Sequence, residues 1–218
     1  MRIVIAGGHG KIAQHLERQL AARGDEAVGL IRNPDHAAEL ADLGATSAVF
    51  DLEQGTAAEL AEIVRGADAV VFAAGAGPGS GAERKKTVDR DGARLLAEAA
   101  ELAGVRRYVM VSAINADRGG EGIEDEVMAV YMDAKKAADE DLMARDLDWT
   151  IVRPGGLTDA PGTGQVHMAA GTGRGEIPRE DVAAVIVAAL DDPSTARGVA
   201  ELISGDTPVA EAVAALRP

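Results

Sequence analysis

The sequence predicts a doubly wound α/β fold of about seven mostly parallel strands flanked by helices. Three observations predict it. Short apolar runs alternate with helix-like stretches along the whole 218-residue chain. Most runs are continuously apolar, as in parallel strands buried on both faces. The first run passes through three glycines straight into an amphipathic stretch, which is the seam of a βαβ unit.

In chain order, the strands are expected at 2–6 (RIVIA), 27–31 (AVGLI), 46–50 (TSAVF), 68–73 (DAVVFA), 107–112 (RYVMVS), 149–153 (WTIVR) and 199–203 (VAELI). Helices are expected near 11–22, 35–43, 55–65, 82–104, 126–146, 180–191 and 208–216. No internal repeat, low-complexity stretch or linker interrupts the rhythm, so residues 1–218 read as a single domain. Two segments depart from it. Residues 113–130 begin polar, acidic and glycine-bearing, and residues 154–178 carry seven glycines with no helical period. Both follow strand C-termini, where open α/β sheets take their ligands, and both are expected to form substrate loops.

Composition narrows the function classes. The net charge is −14 and the sequence pI about 4.7, a field that repels phosphate backbones and anionic membranes and argues against nucleic-acid or membrane partners. A small anion in one basic pocket remains compatible with it. The absence of cysteine excludes disulfides and thiolate chemistry, and four scattered histidines (9, 15, 36 and 167) lack metal-ligand spacing. The N-terminal apolar run is too short for a signal peptide or membrane span, so a cytoplasmic location is expected.

The glycine seam reads Gly7-Gly8-His9-Gly10-Lys11-Ile12-Ala13, a G-x-x-G-x-x-A pattern. Gly7 suits the tight turn off the strand. Gly10 lets backbone approach a pyrophosphate on the helix N-terminus, whose free N–H groups and dipole favour anions. Ala13 is small enough for close packing of helix on strand. His9 and Lys11 add positive character. Twenty-odd residues on, nicotinamide dinucleotide sites that lack a 2′-phosphate place an acid for the ribose hydroxyl. Here the chain offers Arg32, whose planar fork suits a 2′-phosphate, and NADP(H) is preferred over NAD(H). Read alone, Arg32 also fits a solvated strand end.

Several motifs together resemble the short-chain dehydrogenase/reductase superfamily, in its atypical, NAD(P)-binding, epimerase/dehydratase-like branch. They are the glycine seam, "LIRNP" at 30–34, "DLE" at 51–53, "AAG" at 73–75, "VDRDGARLL" at 88–96, "RYVMVSA" at 107–113, "YMDAKKAADEDL" at 131–142 and "WTIVRPGGLTDAPGTG" at 149–164. The resemblance implies a Rossmann-like fold. It places Asp51 and Leu52 against an adenine, Ala73, Ala74 and Gly75 along the cofactor's path, and Arg153, Pro154 and Gly155 beside the nicotinamide. It also makes Tyr131 and Lys135, four apart on one helix face, the proton-transfer pair. In that role the lysine ammonium favours the tyrosinate, and Ser112 holds the substrate oxygen. Asp89 stands where better-known members carry an asparagine that positions the lysine.

The implied activity is hydride transfer to or from a small carbonyl or alcohol by an oxidoreductase or epimerase-like enzyme, with a small-molecule substrate and a monomer or homodimer as the assembly. Two other classes fit the same cofactor motifs. One is an NADPH-binding sensor, which needs the glycine seam and Arg32 but no Tyr-Lys pair. The other is a flavin- or biliverdin-type reductase, which needs no tyrosine acid.

Overall fold

The first strand, β1 (Arg2–Ala6), is apolar on both faces and flanked on both sides: Ile3 and Ile5 point to one, Val4 and Ala6 to the other, and all four are fully buried. A computed structural model of the protein, describing residues 1–77 and 79–216, continues as α1 (Lys11–Ala22), β2 (Glu26–Ile31), α2 (Ala37–Asp42), β3 (Thr46–Val49), α3 (Ala57–Val64) and β4 (Ala69–Phe72). Next come α4 (Gly81–Arg84), a π-helical stretch at Lys85–Asp91, α5 (Gly92–Ala103), β5 (Arg107–Val111), α6 (Glu126–Met143) and β6 (Asp148–Pro154). The chain then forms β7 (Gly156–Thr158), β8 (Gln165–Ala169), β9 (Glu176–Pro178), α7 (Arg179–Asp191), β10 (Gly198–Ser204), β11 (Thr207–Pro208) and α8 (Val209–Ala214).

The nine-stranded main sheet has the order β11-β8-β10-β6-β5-β4-β1-β2-β3. The seven strands from β10 to β3 are parallel, and each coincides with a strand expected from sequence. This is the Rossmann-like arrangement. The chain winds outward from β1 through β2 to β3, then returns across to β4 on the other side of β1. The crevice opened by that reversal lies at the strand C-termini, beside the glycine seam.

Two packed layers cover the sheet. On one side Leu16 and Leu20 of α1 and Val182 and Ile186 of α7 meet Ile3, Ile5, Val71 and Val109. On the other, Leu60 of α3, Leu96 of α5 and Leu142 of α6 meet Val4, Phe72, Tyr108 and Ile151. Helix starts are written locally. Thr56 and Glu59 close a reciprocal capping box on α3, and the Asp125 carboxylate accepts the Met128 N–H at the start of α6.

The structure corrects the reading of the two expected loops. Residues 154–178 are not irregular: β7 pairs β9 in a small parallel sheet, and β8 extends the main sheet antiparallel to β10. The alternation in Gln165-Val166-His167, with Val166 buried and its neighbours exposed, carried that strand signal, but flanking glycines obscured it. In 113–130, the last five residues are the first turns of α6, and Ala113 and Ala116 are buried against Met132. Glu201 of β10 ties both segments to the sheet. Its carboxylate accepts the Asn115 N–H at 2.9 Å and the Thr172 N–H at 2.7 Å. The helix expected at 82–104 is present at 81–103, but Lys85–Asp91 within it is wound as a π-helix, a feature that apolar spacing alone does not reveal.

Candidate functional site

Two adjoining cavities follow the strand C-termini and share Gly10, Ala73, Ala74 and Gly75 in their walls. The backbone forms the shared floor. Gly7 has φ +85°, and a Cβ there would come within 2.6 Å of the Ala74 Cα, so only glycine fits. The Gly10 N–H donates to the Gly7 carbonyl at 2.7 Å and closes the turn. Gly10 then caps α1 without a side-chain hydrogen bond, and no acidic residue stands in the first turn. The first amides of α1 therefore present an unfilled, positively polarised end to the groove. A dinucleotide pyrophosphate fits this cradle, whose turn would be distorted by a Cβ at Gly7 or Gly10, each of which would press on neighbouring backbone.

Gly8 has a different role from the one expected. It lines neither cavity. It faces β2, where a Cβ would lie 2.6 Å from the Gly29 Cα, and its N–H donates to the Leu30 carbonyl. Its glycine serves strand-to-loop contact, not the groove.

The smaller cavity, about 310 Å³, lies beyond the end of β2. His9, Arg32, Asp51 and Leu52 line it. His9 stacks on His36 with ring centroids 3.5 Å apart, and its Nε2 is 2.9 Å from Glu39. Asp51 accepts the Glu53 N–H and so shapes the turn after β3. Sequence reasoning missed Glu53 and Arg84. The Glu53 carboxylate accepts from Arg84 at 2.7 Å, from the Thr87 hydroxyl at 2.6 Å and from the exposed Arg32 at 3.3 Å. Those bonds, led by Arg84, hold its carboxyl below the usual range. One signal could have located Arg84: "RKK" at 84–86 is the only run of three basic residues in this acidic chain.

The larger cavity, about 700 Å³, is walled by Lys11 and Ile12 of α1, by Asp89 and Lys85 of the π-helical stretch, and by Ser112, Tyr131 and Lys135. Lys135 is 5 % exposed. Its Nζ donates to the Val111 carbonyl at 3.2 Å, lies 3.3 Å from the Asp89 carboxylate and sits 5.8 Å from the centre of the Tyr131 ring. Burial opposes its charge, but Tyr131, Asp89 and Asp139 more than compensate, and its pKa lies above the ordinary lysine value. Asp89, 1 % exposed, also accepts the Ala76 N–H at 3.0 Å and so joins the lysine to the loop after β4. The predicted set of Tyr131, Lys135, Ser112 and Asp89 thus comes together on one wall, from three separate elements.

Ser112 is buried and interacts with the Asp139 carboxylate, although its hydroxyl makes no hydrogen bond of normal geometry among the described residues. Burial raises the Asp139 pKa, against the pull of Ser112 and Arg153. Arg153, Pro154 and Gly155 do not border the groove. The buried Arg153 guanidinium turns away, donating to Asp139 at 2.9 Å and to Asp117 at 3.3 Å. It therefore supports Ser112 and Lys135 from behind. Gly155 packs against the Gly175 carbonyl, where a Cβ would clash at 2.3 Å. The exposed His167 lies on β8 and lines neither cavity.

Sequence and fold comparisons agree with this geometry. A family model described as NAD(P)H-binding matches residues 7–193. The Bacillus subtilis protein named "Uncharacterized sugar epimerase YhfK" is 38 % identical over 214 residues, covering 98 % of this chain and 99 % of its own. A Bacillus halodurans structure carrying the name of an NAD-dependent epimerase/dehydratase superposes with a TM-score of 0.89 at 36 % identity, over 98 % of this chain and 99 % of that one. The Lactococcus lactis oxidoreductase ylbE gives a TM-score of 0.85 at 26 % identity, over 98 % and 95 % of the two chains. With a glycine cradle at a topological switch point and matches along nearly its full length, the chain belongs to the NAD(P)H-binding family, in the atypical short-chain dehydrogenase/reductase branch.

Proposed function

We propose that the protein is an NADP(H)-dependent oxidoreductase or epimerase-like enzyme that interconverts a small carbonyl compound and its alcohol, with Tyr131 as the proton donor and acceptor. One observation carries the reading. A buried lysine, held by Asp89 and a backbone carbonyl, faces a tyrosine ring on the wall of a cavity that runs into the glycine cradle.

A nicotinamide dinucleotide held at the glycine cradle would supply hydride chemistry at the carbonyl carbon. The rest falls to the chain. Tyr131 gives its phenolic proton to the carbonyl oxygen as the carbon accepts hydride, leaving an alcohol and a tyrosinate. Lys135 stabilises that phenolate by its fixed positive charge. Asp89 keeps the lysine charged and in place, and Ser112 orients the substrate oxygen. Gly7 and Gly10 admit the pyrophosphate. Arg32 and Arg84, already gathered on one anion by Glu53, favour a 2′-phosphate at the adenosine end.

A regulatory dinucleotide sensor would need the cradle and the arginines but not the buried Lys135–Asp89 pair beside Tyr131. The test is NADPH consumption against a panel of aldehydes and ketones. Turnover that falls about 10²–10⁴-fold in Tyr131→Phe, with NADPH affinity retained, is the expected result. Tight NADPH binding without turnover of any carbonyl in the panel would favour the sensor.

A further inference from the structure

One cation in the wall of the larger cavity stands outside the proposed function and outside any ion pair among the described residues. Lys85 Nζ lies 5.1 Å from the centre of the Tyr131 ring and donates one hydrogen bond, to the Gly77 carbonyl at 2.9 Å. It is half-buried, and among the described residues it has no carboxylate partner. Each neighbouring cation has a carboxylate contact. Lys135 is matched by Asp89, and Lys11 and Arg179 share the Asp159 carboxylate beside the α1 N-terminus. The other acid in the wall, Asp125, is engaged as the cap of α6. In a chain of net charge −14, an unneutralised ammonium facing a cavity beside the candidate proton donor is out of keeping with its surroundings.

Another part of the lining is apolar. Val127, Met128 and Leu157 all line this cavity, and they are three of the six large hydrophobic residues the described chain leaves exposed. Apolar side chains left open to water at a cavity mouth mark a place where an apolar ligand body rests.

We infer that the substrate is an amphipathic carboxylate. Its carboxylate is held by Lys85, its apolar body lies on Val127, Met128 and Leu157, and its reacting oxygen faces Tyr131. An ammonium has three donors; with one on Gly77, two remain for a carboxylate. The inference rests on the proposed function for the placing of the reacting oxygen, but the anion preference stands on Lys85 and the apolar lining alone.

The experiment uses two non-reacting probes of one shape, 4-phenylbutanoate and 4-phenylbutanamide. Each is titrated calorimetrically into the protein saturated with NADP⁺, after a separate titration has measured NADP⁺ affinity. The acid should bind about tenfold or more tightly than the amide, the gain expected of one charge-assisted hydrogen bond. In Lys85→Gln that preference should vanish while NADP⁺ affinity and thermal stability stay unchanged, and Lys85→Arg should keep part of it. Equal binding of acid and amide, a preference that survives Lys85→Gln, or no binding of either probe overturns the inference. Failure of NADP⁺ to bind instead overturns the cofactor reading, and the same two probes, titrated into the protein alone, still decide the anion preference.

Discussion

The two halves of the groove are built from different materials. The half at the glycine seam is mostly backbone: a positive φ at Gly7, a turn closed by the Gly10 N–H and an uncapped helix end. The half around Tyr131 is mostly side chain, with Lys135, Asp89, Ser112 and Lys85 converging from elements far apart in sequence. Backbone sites recognise what many ligands share, here, on the proposed function, a pyrophosphate. Side-chain sites select and react. The difference predicts that substitutions in the first half act on dinucleotide affinity, and those in the second on turnover.

The largest effect should come from the second half. Tyr131→Phe is expected to lower kcat by about 10²–10⁴-fold, the usual share of a general acid, with NADPH affinity unchanged in a fluorescence titration. Lys135→Met should match that loss and also reduce stability by about 3–5 kcal/mol, because it leaves Asp89 buried without its cation. Chemical denaturation of both variants separates the two effects. A Lys135→Met protein as stable as the parent would contradict the idea that the pair is built into the fold.

A buried acid beneath the backbone half sharpens the contrast. Glu17 of α1 is fully buried, and neither of its carboxyl oxygens has a hydrogen-bond partner among the described residues. Gly29 makes the space for it, since a Cβ there would lie 2.6 Å from Glu17 Oε1. Burial pushes the Glu17 pKa up to about 8, from 4.5 in the unfolded chain. Between those values the folded state holds the proton that the unfolded state releases. This contribution is therefore full below pH 4.5 and declines as pH rises, by about 4 kcal/mol in all by pH 8. Glu17→Gln should flatten that decline, so melting temperatures measured across the window should differ from the parent's most at alkaline pH. An unchanged slope would mean that the carboxyl titrates normally.

Gly7→Val comes next. With φ +85° and a Cβ directed at the Ala74 backbone, the turn must distort, and NADPH affinity should fall about 100-fold, near 3 kcal/mol. Gly8→Ala should instead lower the melting temperature, since its clash is with Gly29. The smallest effect is expected at Arg32. It is exposed and held by Glu53 at 3.3 Å, so Arg32→Ala should weaken NADPH about tenfold and leave NADH untouched. Equal loss for both cofactors would remove Arg32 from phosphate recognition.

What could be read from sequence follows the same division. Most of the seven parallel strands were legible because continuous apolar runs such as Ile3–Ala6 and Ala69–Phe72 fit burial on both faces. The glycine seam was legible because its spacing carries its own geometry. The Tyr131–Lys135 pair could be found from helical spacing and resemblance together, and Asp89 from resemblance alone. Three features were not readable. The junction of Glu53 with Arg32, Arg84 and Thr87 joins residues up to 55 positions apart in chain number through tertiary folding. The turn of Arg153 away from the groove depends on Asp139, one helix earlier. The strand at Gln165–Ala169 is short, edge-proximal and surrounded by glycine.

The most direct test of the account is a crystal structure with NADP⁺. The pyrophosphate should rest on the first amides of α1, the 2′-phosphate should face Arg32 and Arg84, and nicotinamide C4 should face the Tyr131 hydroxyl across the larger cavity. A dinucleotide lying in the reverse sense, or with its nicotinamide out of reach of Tyr131, would contradict it.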